Sequence, residues 1–299
     1  MNDKCISFNL DGNQFRGRIV RLNNVPSEMF KLRQYPDNVA AAISETTALG
    51  VILASLMKFK GIWTLQMQGD GPIEVLVADV TSEGKVRATA KYDAEKMQAA
   101  QELRKTEGEL EATPHWLGKG SLMFTVDQGK NTELYQGIVD LQGKTLAECA
   151  MRYFKNSEQI DTYLRLFVQK IDDVWQSAGI LIQKMPKNGG KEQDSTENAD
   201  DLWNENKILT DSLTQTEIFD VQLSLEDILY RLFHEHQVAV VKENEYFFGC
   251  RCEREKLYAT LSSMKQDDIE AMAENGKITA TCNFCGQVYV FDKNEFIRH

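Results

Sequence analysis

Six cysteines stand in this 299-residue chain, and four of them fall within its last fifty positions. Cys250 and Cys252 are separated by one residue. Cys282 and Cys285, separated by two, follow 29 residues later. Thiolates in two close pairs suit tetrahedral zinc, which favours sulfur ligands in closed structural sites. The run after the second pair, Gly286 and then Tyr289-Val290-Phe291, fits a tight metal knuckle leading into a strand. An iron–sulfur cluster is the weaker alternative, because the first pair is unlike common cluster spacings. Unrelated free thiols are a third reading. A domain of about 50 residues buries too little apolar surface to be secure alone. Bound metal there would supply folding energy. Oxidising the thiolates would destroy the ligand set and the fold with it; the bland alternative is a zinc ribbon that never switches. Cys5 and Cys149 stand apart, and Cys149 reads as a small core residue.

Other chemistry is poorly supported. His115, His234, His236 and His299 form no metal or triad spacing. Gly118-Lys119-Gly120-Ser121 lacks the upstream glycine of a phosphate loop, and Gly69-Asp70-Gly71-Pro72 reads as a hairpin turn. No enzyme is expected. The formal net charge of -11 argues against nonspecific nucleic-acid binding. In the cysteine region Arg251, Arg254, Lys256, Lys265 and Lys277 are offset by acidic neighbours, so no basic stripe forms. A static zinc ribbon that binds nucleic acid or a protein partner is the alternative function.

The elements that must position the cysteines divide into three. Residues 1–185 are near neutral and mix both secondary-structure periods. Residues 39–59 are expected as a helix, and 62–68, 73–80 and 86–92 as strands. Helix is expected at 93–104, and a strand pair at 122–126 and 134–139, joined through 127–132. Residues 145–154 are expected as a helix capped by Thr145 with Glu148 as box partner. Helical register is expected to continue over 157–175, with a short strand at 180–183. Hairpins followed by helices favour α+β.

Residues 186–249 form an acidic linker: 5 basic and 14 acidic side chains, net -9. Residues 187–201 are expected as a polar surface stretch, 202–213 and 225–234 as helices, and 238–241 and 246–248 as short strands. Phe219, Leu223, Leu229, Leu232 and Phe233 are expected to contribute to an apolar surface that the body covers. Residues 250–299 are the small four-cysteine zinc domain, with helices at 253–261 and 267–275 and a strand at 278–281. No signal peptide or run of 18 apolar residues is read, and the richest stretch, 49–59, is too short to span a membrane. A cytosolic setting, where thiols stay reduced, is expected.

Several short motifs resemble one family in order along the chain. Gln68-Gly69-Asp70-Gly71-Pro72, Gly118-Lys119-Gly120, Tyr135-Gln136-Gly137 and Ser157-Glu158-Gln159 come first. Ala178-Gly179 and Leu181-Ile182-Gln183-Lys184-Met185-Pro186 follow, then Phe248-Gly249-Cys250-Arg251-Cys252 and Cys282-Asn283-Phe284-Cys285-Gly286. Together they resemble the redox-regulated 33 kDa chaperonin (heat shock protein of 33 kDa) family over essentially the whole chain. Ala178-Gly179-Ile180 departs from the more usual AGG of that family. The resemblance implies an ATP-independent holdase of the bacterial cytoplasm, monomeric and nearly inactive when reduced and zinc-bound. It implies that oxidation forms Cys250–Cys252 and Cys282–Cys285 disulfides, releases one Zn2+ and unfolds the C-terminal region. It further implies that the opened linker and body dimerise, bind unfolding client proteins and later pass them to ATP-dependent chaperones, with no nucleic-acid or membrane partner.

Overall fold

The structure is a computed structural model and describes residues 2–107, 112–129, 135–186 and 196–296. Expectations for 130–134 and 187–195, and the place of His299, lie outside the described residues.

The first 38 residues, for which no element is expected, build a hairpin and a short helix: β1 (Asp3–Leu10), β2 (Phe15–Leu22) and α1 (Val25–Phe30). The hairpin turns at Asp11-Gly12-Asn13, all with positive φ. Helix α2 (Asp37–Ser55) follows, then the meander β3 (Ile62–Gly69), β4 (Ile73–Thr81) and β5 (Lys85–Tyr92). Helices α3 (Ala94–Glu107) and α4 (Thr113–Leu117) precede the pair β6 (Gly120–Asp127) and β7 (Tyr135–Asp140). Helix α5 (Leu146–Tyr153) starts at Thr145, whose hydroxyl accepts from the Glu148 N–H at 3.1 Å. The Glu148 carboxylate accepts from Lys144 N–H at 2.8 Å, one residue earlier than a strict capping box requires.

The expected helix over 157–175 is not there. A π-helical turn (Phe154–Glu158) ends on Gln159 in the left-handed region, and β8 (Thr162–Ile171) and β9 (Val174–Lys184) form a hairpin. The two residues between them, Asp172 and Asp173, both have positive φ (50° and 61°), the geometry of the tight turn that matches strand twist. An Asp-Asp pair is a weaker sequence signal for that turn than Asn-Gly, and the β-branched and aromatic residues around it win through sheet pairing. The short strand expected at 180–183 is the end of the longer β9.

The acidic segment contributes α6 (Thr196–Ser212), α7 (Gln215–Phe219) and α8 (Leu225–Phe233). The two short strands expected next are a single one, β10 (Ala239–Phe248). It enters the main sheet, whose order is β7-β6-β3-β4-β5-β10-β1-β2-β9-β8. β10 runs antiparallel to β1 over most of its length and meets β5 in parallel through Phe247 and Phe248 alone. Ten strands therefore form two half-sheets joined at one short seam. The last elements are α9 (Arg254–Ser262), α10 (Gln266–Met272) and the hairpin β11 (Lys277–Thr281) with β12 (Val288–Asp292).

Period-2 alternation explains the layers. On one face Cys5, Val20, Leu22, Trp63, Leu65, Met67 and Leu181 pack with α2, whose Val39, Ile43, Leu49 and Ile52 are fully buried. By length and composition α2 could cross a membrane, but most of that stretch is buried within this fold. The alternate residues of the β1, β2, β8 and β9 half, Ile6, Phe8, Phe15, Ile19, Phe167, Ile180 and Ile182, face the other way. There they are covered by α6–α8 through Leu213, Ile218, Phe219, Leu225, Ile228, Leu229 and Phe233, with Leu223 and Leu232 partly buried against them. Strands buried on both faces read as near-continuous apolar runs, which obscures their period. The C-terminal part has its own core, Leu261, Ile269, Ile278, Phe291 and Phe296.

Two distant motifs are explained by one contact. The Gly71 N–H donates to Leu117 O at 2.8 Å, and the Asp70 carboxylate accepts from Lys119 N–H at 2.8 Å. Gly118 has φ of 71°, and a Cβ there would come within 2.4 Å of the Asp70 carboxylate, so only glycine lets the two turns interlock.

Candidate metal centre

The four predicted cysteines converge. β10 runs directly into Cys250 and Cys252, while Cys282 and Cys285 sit on the turn between β11 and β12. The Cys282 N–H donates to Gln287 O, and the Gly286 N–H returns to Cys282 O, both at 2.9 Å. This closes the knuckle around its sulfurs. All four Sγ atoms lie within 4.8 Å of one another, with Cys250–Cys282 at 3.6 Å and Cys252–Cys285 at 3.5 Å. Sulfurs sharing a tetrahedral zinc with bonds of about 2.3 Å would stand roughly 3.8 Å apart. All four are free thiols, so the donor set fits a metal ion. Cys5 and Cys149 are buried elsewhere in the fold.

The electrostatics favour a cation. Burial raises the cost of a thiolate at Cys250, yet the Cys252 backbone N–H and the neighbouring thiols bring its pKa down to about 7. Burial pushes Cys285 well above the ordinary thiol range and also raises Cys252, against the donation of the Tyr289 hydroxyl at 3.3 Å. That hydrogen bond, followed by burial, pushes Tyr289 up to about 12. The cluster by itself thus favours a thiolate at Cys250 and disfavours one at Cys252 and Cys285. A bound cation reverses that balance, since a coordinating thiol loses its proton.

The centre is fastened to the body sheet. In register across three strands, Thr64 and Arg87 flank Asp79. Asp79 is buried and accepts from Thr64 Oγ1 at 2.7 Å, from Arg87 Nε at 2.8 Å and from Arg251 Nη2 at 2.5 Å. The Arg87 guanidinium also lies 3.7 Å from the centroid of the Phe284 ring, inside the second cysteine pair. Asn283 O accepts from Arg33 and, at 2.5 Å, from the Thr89 hydroxyl. Gly286, with φ of 77°, lies so close to Leu32 O that a Cβ would stand 2.7 Å from it. Arg33, Asp79, Arg87 and Thr89 escape the sequence reading. The available signal was Asp79, a carboxylate inside the apolar run 75–80.

This combination is a large mixed sheet with an apolar face covered by acidic helices and a four-thiol centre docked beside it. It defines an α+β protein with a cysteine cluster able to hold metal. The family model described as Hsp33 protein matches residues 3–292. The 33 kDa chaperonin of Caulobacter vibrioides (strain NA1000 / CB15N) is 32% identical over 297 residues, spanning 98% of this chain and 95% of the relative. That of Aliivibrio salmonicida (strain LFI1238) is 34% identical over 281 residues, spanning 93% and 88%. In fold the chain is similar to the crystal structure of the 33 kDa chaperonin (heat shock protein 33 homolog) of Thermotoga maritima. The TM-score is 0.79 at 22% identity, over 99% of this chain and 97% of the other. The chain belongs to the Hsp33 family of chaperones.

Proposed function

We propose that the protein is an ATP-independent holdase for unfolding client proteins, switched by the redox state of Cys250, Cys252, Cys282 and Cys285. The observation that carries this reading is the placement of the four-thiol centre. It follows β10 without a break, and the acidic segment before β10 covers an extended apolar sheet face. Reduced, the thiols hold one Zn2+, which supplies the folding energy that a five-residue core lacks. Oxidation forms Cys250–Cys252 and Cys282–Cys285 and removes two electrons per disulfide, taken by the oxidant, so the zinc ligands are lost. The close sulfur contacts at 3.5 and 3.6 Å run between the pairs, so closure within pairs requires the knuckles to relax, in keeping with coupled local unfolding.

Loss of the docked centre releases Arg251 from Asp79 and the Asn283 carbonyl from Arg33 and Thr89. The acidic segment then loosens from Ile6, Phe8, Phe15, Ile19, Phe167, Ile180 and Ile182. These residues, with the freed faces of α7 and α8, form the client surface. The net charge of -9 over residues 186–249 keeps the opened form soluble. The reduced form is a monomer and the oxidised form a homodimer, in the bacterial cytoplasm, passing clients to ATP-dependent chaperones.

The test is light scattering from a thermally unfolding client in the presence of reduced, zinc-loaded or oxidised protein. Suppression after oxidation alone is the expected result. Equal activity in both states, or in neither, overturns the switch.

A further inference from the structure

Helix ends in the acidic segment are met from different sources. The N-termini of α7 and α8 are closed locally. Thr214 Oγ1 accepts from Glu217 N–H at 3.2 Å and the Glu217 carboxylate accepts from Thr214 N–H at 2.9 Å. Ser224 and Asp227 repeat the box at the start of α8, at 3.0 and 3.2 Å.

The C-terminal carbonyls of α6 and α7 are met from the body. Arg165 on β8 donates from Nη1 to Thr210 O, Asp211 O and Leu213 O at 3.3, 2.6 and 2.7 Å. Arg21 on β2 donates to Ile218 O, Asp220 O and Leu223 O at 3.1, 2.8 and 2.7 Å. Arg21 is 4% exposed, and the carboxylates of Asp220 and Glu226 are near enough to act on its charge. The last carbonyls of a helix have no intrahelical partner, and a cation there also meets the negative end of the helix dipole.

We propose that Arg21 and Arg165 are the positioning residues that make the fold of the acidic segment conditional on docking: they add partners for carbonyls at the ends of α6 and α7 that local donors meet only in part. Their six hydrogen bonds go to main-chain carbonyls, and Arg165 Nε also stands 3.7 Å from the Asp211 carboxylate. Undocking takes these partners from the ends of both helices, and α7, at five residues, is marginal without tertiary support. Release of the segment, melting of α7 and fraying of the C-terminal end of α6 are therefore one event. This rests on the proposed switch, in which the segment must leave the sheet.

The experiment compares full-length, reduced, zinc-loaded wild type with Arg165→Gln, Arg165→Met and Arg21→Gln by amide hydrogen exchange. Exchange across 205–223 is expected to rise at least about tenfold, the scale of losing charge-assisted hydrogen bonds. Protection in β3–β5 and zinc content should stay unchanged. Arg165→Met keeps an aliphatic stem without donors and is expected to match Arg165→Gln. If it keeps wild-type protection, packing holds the segment and the proposal falls, as it does if neither variant changes exchange. Should buried Arg21→Gln not fold, the half-exposed Arg165 pair decides alone. No oxidant or client is involved, so faster exchange without oxidation-dependent holding would remove the switch and leave the caps. The converse would remove the caps and leave the switch.

Discussion

The carboxylate of Asp79 and the guanidinium of Arg251 meet at 2.5 Å, joining a buried position in β4 to the residue that stands between two cysteines of the candidate metal centre. The same carboxylate holds Arg87, which in turn lies against Phe284 of the other cysteine pair. One acidic side chain therefore registers both halves of the centre against the sheet.

Asp79→Asn is expected to break this arrangement while keeping its volume. Removing one partner of a buried ion pair leaves uncompensated charge and costs on the order of 3 kcal/mol. The thermal midpoint should fall, and zinc should pass faster to a competing chelator. A chelator exchange rate equal to wild type would show that the centre does not depend on its dock.

Metal removal from the reduced protein is expected to unfold the C-terminal part and spare the body. The core of Leu261, Ile269, Ile278, Phe291 and Phe296 is too small to stand without the ion, whereas α2 and the sheet have a large core of their own. Hydrogen exchange after chelation should show lost protection across 254–292 and retained protection in β3–β6. Full protection in α9–β12 without metal would contradict this.

Thiol labelling should divide the six cysteines four to two. Burial pushes Cys5 and Cys149 each up to about 11, so at pH 8 about one in a thousand is thiolate, the reactive form. After chelation, alkylation is expected at Cys250, Cys252, Cys282 and Cys285. Cys5 and Cys149 should react on global unfolding. Mass spectrometry of the labelled peptides reads the division directly.

Glu45 sets a pH dependence in the body. It is partly buried on α2 beside the Thr113 hydroxyl, and desolvation raises its pKa above 4.5. A carboxyl raised by folding holds its proton more tightly in the native state. Its contribution is fully present below the unfolded value and is lost as pH rises through the folded one. Glu45→Gln removes the ionisation, so its stability relative to wild type should be greater at pH 7 than at pH 4. Denaturant unfolding at the two pH values checks this, and a gain independent of pH would refute it.

The sequence alone determined what local chemistry and spacing can specify. The two cysteine pairs, the β3–β4 hairpin turn, the Thr145 cap and the break in charge before the acidic segment are each set within a few residues, and the turn and the cap are where they were expected. Tertiary structure decided the rest. Residues 162–184 became a hairpin because they pair with β2 and pack on both faces, where double-sided burial hides the alternation that would announce a strand. β10 took its place between β1 and β5 through partners more than 150 residues away in sequence. Asp79 with Arg251, and Arg21 and Arg165 with the ends of α6 and α7, depend on the same long-range closure. A lone charged residue in a strand carries no mark of the carbonyl or carboxylate it will meet. That partner exists only once the sheet has brought the two segments together.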